Sequence, residues 1–173
     1  IFIETDNDNA GKEGKPVSTD IQDAFMDVRI FKNYLWLKTG LILLPFSFES
    51  CSSAASLLGI DYNSEAIKFV NTFVWRDFGV EAHGAIGERF AYRIGAFDGY
   101  TAAAGAKWRY TGHLSGSIIG KVNAGWFHGQ VRPGADSYVS VGIGADYQED
   151  ASSKAGKTRD SKAFVLDMQS GLK

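Results

Sequence analysis

Residues 74–100 limit what this chain can fold into more than any other stretch, because their apolar and polar residues alternate. Within residues 77–84 and 90–96, even positions are apolar or glycine, whereas odd positions are charged, histidine or small. The even set comprises Phe78, Val80, Ala82, Phe90, Tyr92, Ile94 and Ala96, and the odd set comprises Asp77, Glu81, His83, Ala91, Arg93 and Gly95. Successive side chains of a strand point to opposite faces, so this alternation predicts two β-strands, each with one apolar and one polar face.

The shared parity also determines how these two strands connect. A slip of one position moves every side chain to the other face, so even residues can face even residues only across a connection of odd length. We therefore predict a three-residue turn at residues 87–89, with Ile86 opposite Phe90. Each run holds about ten residues, which at a tilt of about 45° rise roughly 24 Å and match the apolar belt of an outer-membrane barrel.

The composition suits a large antiparallel sheet, with 20 glycines, 13% aromatic residues and 3 prolines. No run of 18 apolar residues occurs, so the sequence predicts no transmembrane helix. A mean hydropathy of −0.13 is compatible with strands that face both lipid and water. The net charge of −2 gives no indication of a nucleic-acid partner.

Nothing in the sequence predicts a disulfide, a metal site or a cofactor. Cys51 is the single cysteine, and the three histidines do not have the spacing of zinc ligands. The chain begins without the charged and apolar regions of a signal peptide, so we expect it to be an internal part of a longer protein.

Further strands follow from the same alternation. They are predicted at residues 1–5, 20–31, 34–43, 106–117, 137–147 and 162–172, which gives about eight spanning strands in this chain. The apolar parity changes from even to odd after residue 31, so a two-residue turn is predicted at Lys32 and Asn33. Residues 118–136 are compatible with either a short strand or an excursion anchored at a membrane interface.

The longer connections are predicted at residues 6–19, 44–73 and 148–161, all on the side opposite the short turns. Short turns on one side and long loops on the other are typical of outer-membrane barrels. Residues 6–19 contain two aspartates at calcium-loop spacing, but Ala10 and Val17 occupy ligand positions, which favours a solvated loop. Residues 44–73 are long enough to have a function of their own, and we expect them to fold inward as a constriction loop.

The sequence does not predict an enzyme. Asp77, Glu81 and His83 share a face, but no nucleophile motif accompanies them. Carboxylates four residues apart on a strand lie roughly 13 Å apart, which is too far for a glycosidase pair. The glycine-rich residues 142–146 lie inside a predicted strand and precede no helix, so they do not form a phosphate loop.

Four short motifs occur in order along the chain. They are LWLKTG at 35–40 leading into LPF at 44–46, WRDFGV at 75–80, YRIGAFDG at 92–99 and VGIGADYQ at 141–148. Together, over most of residues 20–170, they resemble the phosphate-selective porin O and P family. The resemblance implies an antiparallel transmembrane β-barrel of about sixteen strands in the bacterial outer membrane, of which this chain would form about half. It also implies a homotrimer that contacts lipid and lipopolysaccharide and passes small solutes by diffusion.

One departure from the family concerns selectivity. Members often carry a basic residue just before the Pro-Phe pair, but residues 41–44 of this chain read LILL. The resemblance therefore supports a channel better than it supports phosphate selectivity.

The candidate anion path consists of basic residues expected on the polar face or on the inward loop: Arg29, Lys38, Lys68, Arg93, Lys107 and Arg109. Arg and Lys in a pore select anions because they offset lost hydration. Acidic residues are expected on the same face, namely Asp23, Asp27, Asp77, Glu81, Asp146 and Asp167. Two interpretations stay open: these charges pair with one another inside the barrel, or the basic ones line a solute path.

We therefore expect a porin that allows passive diffusion of small hydrophilic solutes, with a mild preference for anions such as phosphate. One alternative is a scaffold barrel of the outer membrane that houses or contacts a partner protein. A less favoured alternative is a soluble β-barrel that binds an apolar ligand, which would require apolar residues inside and charges outside.

Overall fold

The structure is a computed structural model that describes residues 2–6, 20–52, 76–100, 107–122, 136–154 and 157–171. The described residues form eight strands: β1 Phe2–Asp6, β2 Asp20–Phe31, β3 Leu35–Leu43, β4 Arg76–Ile86, β5 Phe90–Phe97, β6 Arg109–Ile119, β7 Tyr138–Lys154 and β8 Lys157–Gly171. Each strand pairs in antiparallel fashion with its neighbours in sequence, in one sheet of order β1 to β8. The predicted all-β antiparallel fold is confirmed. Within the described residues β1 and β8 do not pair with each other, so the sheet is open.

The two faces of the sheet differ as the alternation predicts. Phe78 on β4 is 58% exposed, whereas Glu81 on the same strand is fully buried. The contrast recurs on β6, where Leu114 is exposed and His113 is buried. We call these the apolar face and the polar face of the sheet.

The predicted connection between β4 and β5 is confirmed. Residues 87–89 form the turn, and Ile86 lies opposite Phe90 in the register. Gly87 adopts a φ of 64°, a left-handed conformation in which glycine has no steric penalty. The odd-length turn keeps Val80 and Ala96 paired on the apolar face.

The connection between β2 and β3 differs from the predicted two-residue turn. The turn comprises residues 32–34, with Phe31 opposite Leu35. The register shifts between Arg29 and Phe31, so Ile30 is an extra residue in β2. This bulge produces the change of parity that we assigned to the turn. The positive φ is at Lys32, with a value of 47°, rather than at the asparagine.

The predicted loop at residues 148–161 is wrong. β7 continues to Lys154 and β8 begins at Lys157, so the two strands extend as a long hairpin. The register shifts between Gln148 and Ser152, which interrupts the alternation that our prediction required. Backbone pairing resumes at Ser152 opposite Arg159, because a strand needs no apolar side chains to make ladder hydrogen bonds.

The expected separation of short and long connections is incomplete. Residues 120–122, which begin the connection from β6 to β7, lie at the same end as the short turn at 87–89. Ser117 N–H donates to Arg89 O at 2.8 Å, and Val122 N–H donates to Glu88 O at 2.8 Å. Much of the remaining loop prediction, including the calcium loop rejected at residues 6–19, lies outside the described residues.

A small apolar core lies on the polar face. Residues 44–52 leave β3 and return over the sheet, where Phe48 N–H donates to Asp167 of β8, and they contribute Leu44 and Phe46 to this core. The buried cluster comprises Ile42, Leu44, Phe46, Phe97 and Ala163, with Phe25 and Val165 packed against it. We call residues 44–52 the crossing segment.

Candidate functional site

A row of alternating charges crosses the polar face from β2 to β5. Lys38 Nζ lies 3.5 Å from Asp27 Oδ2 and 3.7 Å from Glu81 Oε1. Arg93 Nη2 in turn donates to Glu81 at 3.2 Å. The register produces this order, because Lys38 lies directly opposite Asp27 on one side and Glu81 on the other. Glu81 therefore neutralises charge on two cations at once.

Two further ion pairs flank the row. Arg76 at the start of β4 donates to both carboxylate oxygens of Asp23, at 3.0 and 2.8 Å. On the other side of the row, Arg109 Nε donates to Asp146 Oδ2 at 2.6 Å, and Thr111 Oγ1 donates to the same oxygen. The Arg109 guanidinium also lies 4.8 Å from the centre of the Tyr100 ring. Buried charges need such partners, because an isolated one costs several kcal/mol in desolvation, on the order of 5.

Both described histidines pair with aspartates on the polar face. His83 Nε2 lies 3.0 Å from Asp27 Oδ1, so this imidazole joins the end of the charge row. His113 Nε2 lies 3.1 Å from Asp167 Oδ1 and reaches over β7 to do so. Across the described residues, no group of three or more His, Cys, Asp or Glu side chains is arranged to hold a metal ion.

The structure separates the predicted basic residues into three situations. Lys38, Arg93 and Arg109 are buried in ion pairs, and the first two share Glu81. Arg29 is exposed, with its guanidinium 5.6 Å from the Trp36 ring. The third situation is that of Lys107, which precedes β6 at the margin of the sheet. Lys107 is exposed and donates to Glu149, whose carboxylate raises the pKa of the Lys107 ammonium, while Lys68 lies outside the described residues.

Sequence reasoning missed Arg76 as a member of the site. Its even number places it with the apolar residues of β4, but its side chain is buried and bonded to Asp23. Arg76 is the first residue of its strand, where the strict alternation of the strand interior does not hold. The sequence signal that could have identified Arg76 was its position directly before the polar-face residue Asp77.

The crossing segment brings uncharged residues into the site. Phe48 N–H donates to Asp167 Oδ2 at 2.7 Å, and the Phe48 ring meets the His113 ring edge to face at 4.9 Å. Cys51 is fully buried in this segment, and burial raises the pKa of its thiol. The segment is the described part of the predicted constriction loop at 44–73, and residues 53–73 of that loop lie outside the described residues.

The arrangement provides a surface on which the buried cations Lys38, Arg76, Arg93 and Arg109 all pair with carboxylates, and the crossing segment partly covers this surface. Neither a protein-family model, nor a curated protein, nor a solved structure matches this chain. In the parts of the chain that the structure describes, no helix combines the length and the apolar character needed to cross a membrane.

Proposed function

We propose that this chain forms part of an outer-membrane β-barrel porin through which small hydrophilic solutes diffuse. The observation that carries the proposal is the apolar face of the sheet. Large apolar side chains on it are exposed from β2 to β8, reaching 81% at Phe164 and 82% at Leu166. Monomeric soluble proteins rarely expose contiguous apolar patches larger than a few hundred Å². Contact with lipid instead of water removes the free-energy cost of exposing these apolar side chains. We therefore propose that lipid and lipopolysaccharide surround this face.

The distribution of charge supports the proposal that the polar face of the sheet lines the interior of the barrel. The ion pairs of Glu81, Asp146 and Asp23 all lie on the polar face, as expected of residues that line an aqueous interior. Because each buried cation there has an acidic partner, the proposed pore has at most a mild preference for anions. A soluble barrel that binds an apolar ligand would have the opposite arrangement of faces.

The open edges of the sheet support a larger barrel. Within the described residues β1 pairs only with β2, and β8 pairs only with β7. An unpaired strand edge in lipid leaves backbone N–H and C=O groups unsatisfied, which only closure removes. We therefore propose that further strands complete a barrel of about sixteen, as in the porin family that the motifs resemble, and that the barrel is a trimer.

A scaffold barrel is the second candidate, and the crossing segment favours it. Leu44 and Phe46 are buried over the polar face, where an open channel would be wet. If residues 44–73 fill the interior instead of narrowing it, the barrel would contact a partner and pass no solute.

Flux into lipid vesicles separates these candidates. The purified protein would be reconstituted into liposomes, and swelling would be followed with a series of neutral sugars of increasing size. We expect swelling rates that fall steeply as the sugar grows, as for a water-filled pore. Stable insertion without swelling would contradict the porin and support the scaffold, whereas a protein that stays monomeric in water without detergent would contradict both.

A further inference from the structure

Two glycines, Gly142 and Gly144, lie two positions apart on the polar face of β7. A Cβ at Gly144 would collide with the carbonyl oxygen of Phe46, and a Cβ at Gly142 would collide with Asp167 Oδ1 and His113 Nε2. Because these two residues have no side chains, they leave a shallow groove over β7, which we call the track. The backbone of the crossing segment and the pair of His113 with Asp167 occupy that track.

The crossing segment is internally bonded. Ser47 N–H donates to Ser50 Oγ and Ser50 N–H donates to Ser47 Oγ, both at 2.9 Å. Ser52 Oγ donates to Phe48 O at 2.6 Å, and Cys51 N–H donates to Ser47 O at 3.3 Å. These bonds link neighbouring residues of the segment to one another, so the segment is expected to shift as a unit rather than residue by residue.

Asp167 connects this unit to the sheet. One carboxylate oxygen accepts the Phe48 N–H at 2.7 Å, and the other lies 3.1 Å from His113 Nε2. The Phe48 ring packs on the same imidazole. Asp167 is 119 positions from Phe48 in sequence, so the contact joins two distant parts of the chain across the polar face.

We propose that Asp167 is a positioning residue that fastens the crossing segment into the track of Gly142 and Gly144, and that this fastening sets the width of the solute passage. The second half of the proposal rests on the porin function proposed above. The first half does not, because it concerns only where residues 44–52 lie.

Cys51 provides a readout that is independent of conduction. It is the only cysteine in this sequence and is fully buried in the fastened segment. The rate of its reaction with a methanethiosulfonate reagent would be measured in the intact protein and in Asp167→Ala. We expect a rate increase of about tenfold or more, since losing a hydrogen bond to a charged acceptor changes an opening equilibrium by about that order. The matched control is Asp160→Ala, on the same strand but paired with Lys162 at the surface.

A second variant keeps the proposal testable even when Asp167→Ala does not fold. Gly144→Ala leaves the carboxylate intact but places a Cβ against Phe46 O, so it should also raise the Cys51 rate. Its control is Gly116→Ala on β6, where a Cβ would make only ordinary contacts with Phe90. Unchanged Cys51 rates in both variants, or equal increases in variants and controls, would overturn the fastening.

Conductance of the same proteins in planar bilayers tests the second half. We expect larger unitary conductance in Asp167→Ala and Gly144→Ala than in the controls. A raised Cys51 rate with unchanged conductance would overturn the effect on the passage. A raised Cys51 rate with no conductance in any protein would overturn the porin function and leave the fastening in place.

Discussion

The Glu81 carboxylate on β4 accepts hydrogen bonds from Nε and Nη2 of Arg93 on β5, each at 3.2 Å. The same carboxylate lies 3.7 Å from Lys38 Nζ on the other side. Glu81 is fully buried, and it lies between two cations of the polar face. Removing a single negative charge here changes the electrostatics of the proposed pore more than the same change at the surface.

We predict that Glu81→Gln increases anion preference. The substitution keeps the shape of the side chain but no longer offsets the charges of Lys38 and Arg93, which attracts anions to this part of the pore. The reversal potential under a salt gradient should shift toward the anion equilibrium potential. The control is Glu88→Gln in the turn at 87–89, where Glu88 pairs with exposed Lys121. A shift of equal size in both variants would contradict a role for the charge row in selectivity.

The pair of Arg109 and Asp146 is predicted to be a stability element. Asp146→Ala alone should lower the free energy of unfolding by about 3–5 kcal/mol, because it leaves Arg109 buried without this carboxylate. Combining it with Arg109→Met should restore part of the loss, since an apolar pair avoids that uncompensated charge. Urea unfolding in the presence of lipid vesicles measures both. Additive losses in the double variant would show that the two charges do not act as a pair.

Ile143 tests the lipid environment of the apolar face. It is 56% exposed, and in a soluble protein Ile143→Lys at such a position would change stability by about 0.5 kcal/mol or less. In a membrane barrel the same substitution should cost about 2–4 kcal/mol if the residue lies near the bilayer midplane. Ser152→Lys, on the β7 extension, is the control and should be neutral. A neutral Ile143→Lys would contradict a lipid-facing position near the bilayer midplane.

Cys51 predicts a pH dependence of stability. Burial raises the pKa of its thiol above the ordinary value of 9.0, so the folded state keeps a proton that the unfolded state releases as pH rises past that value. The contribution of the protonated thiol to the free energy of unfolding is therefore complete below pH 9.0. It declines as the pH rises from there toward the pKa of the folded state. The difference in free energy of unfolding between the unmodified protein and Cys51→Ala should shrink over this alkaline range. A difference that stays constant would mean that the thiol does not change its pKa on folding.

Much of the sheet could be predicted from sequence because alternation is a local signal. The facing pair of Ile86 and Phe90 followed from parity alone. The bulge at Ile30 could not be distinguished from a two-residue turn, since both change the parity by one position. The extension after Gln148 was missed because its polar residues pair through the backbone without any apolar pattern.

The site was less predictable because its contacts join distant residues. The sequence indicated which charges share a face, but not that Glu81 would lie between Lys38 and Arg93, which depends on the register of two strand pairs. The contact of Phe48 with Asp167 depends on the space that Gly144 leaves on β7. No local pattern records such a space, and the glycine was interpretable only once the crossing segment was in place.

Single-channel conductance in planar bilayers tests the porin account most directly. The protein would be added at low concentration to a bilayer under voltage, with the reversal potential measured under a salt gradient. We predict stepwise increases in current of uniform size, with a mild preference for anions that increases in Glu81→Gln. Insertion without any stepwise current would contradict the account, because it would mean that residues 44–73 close the barrel and that its function is structural.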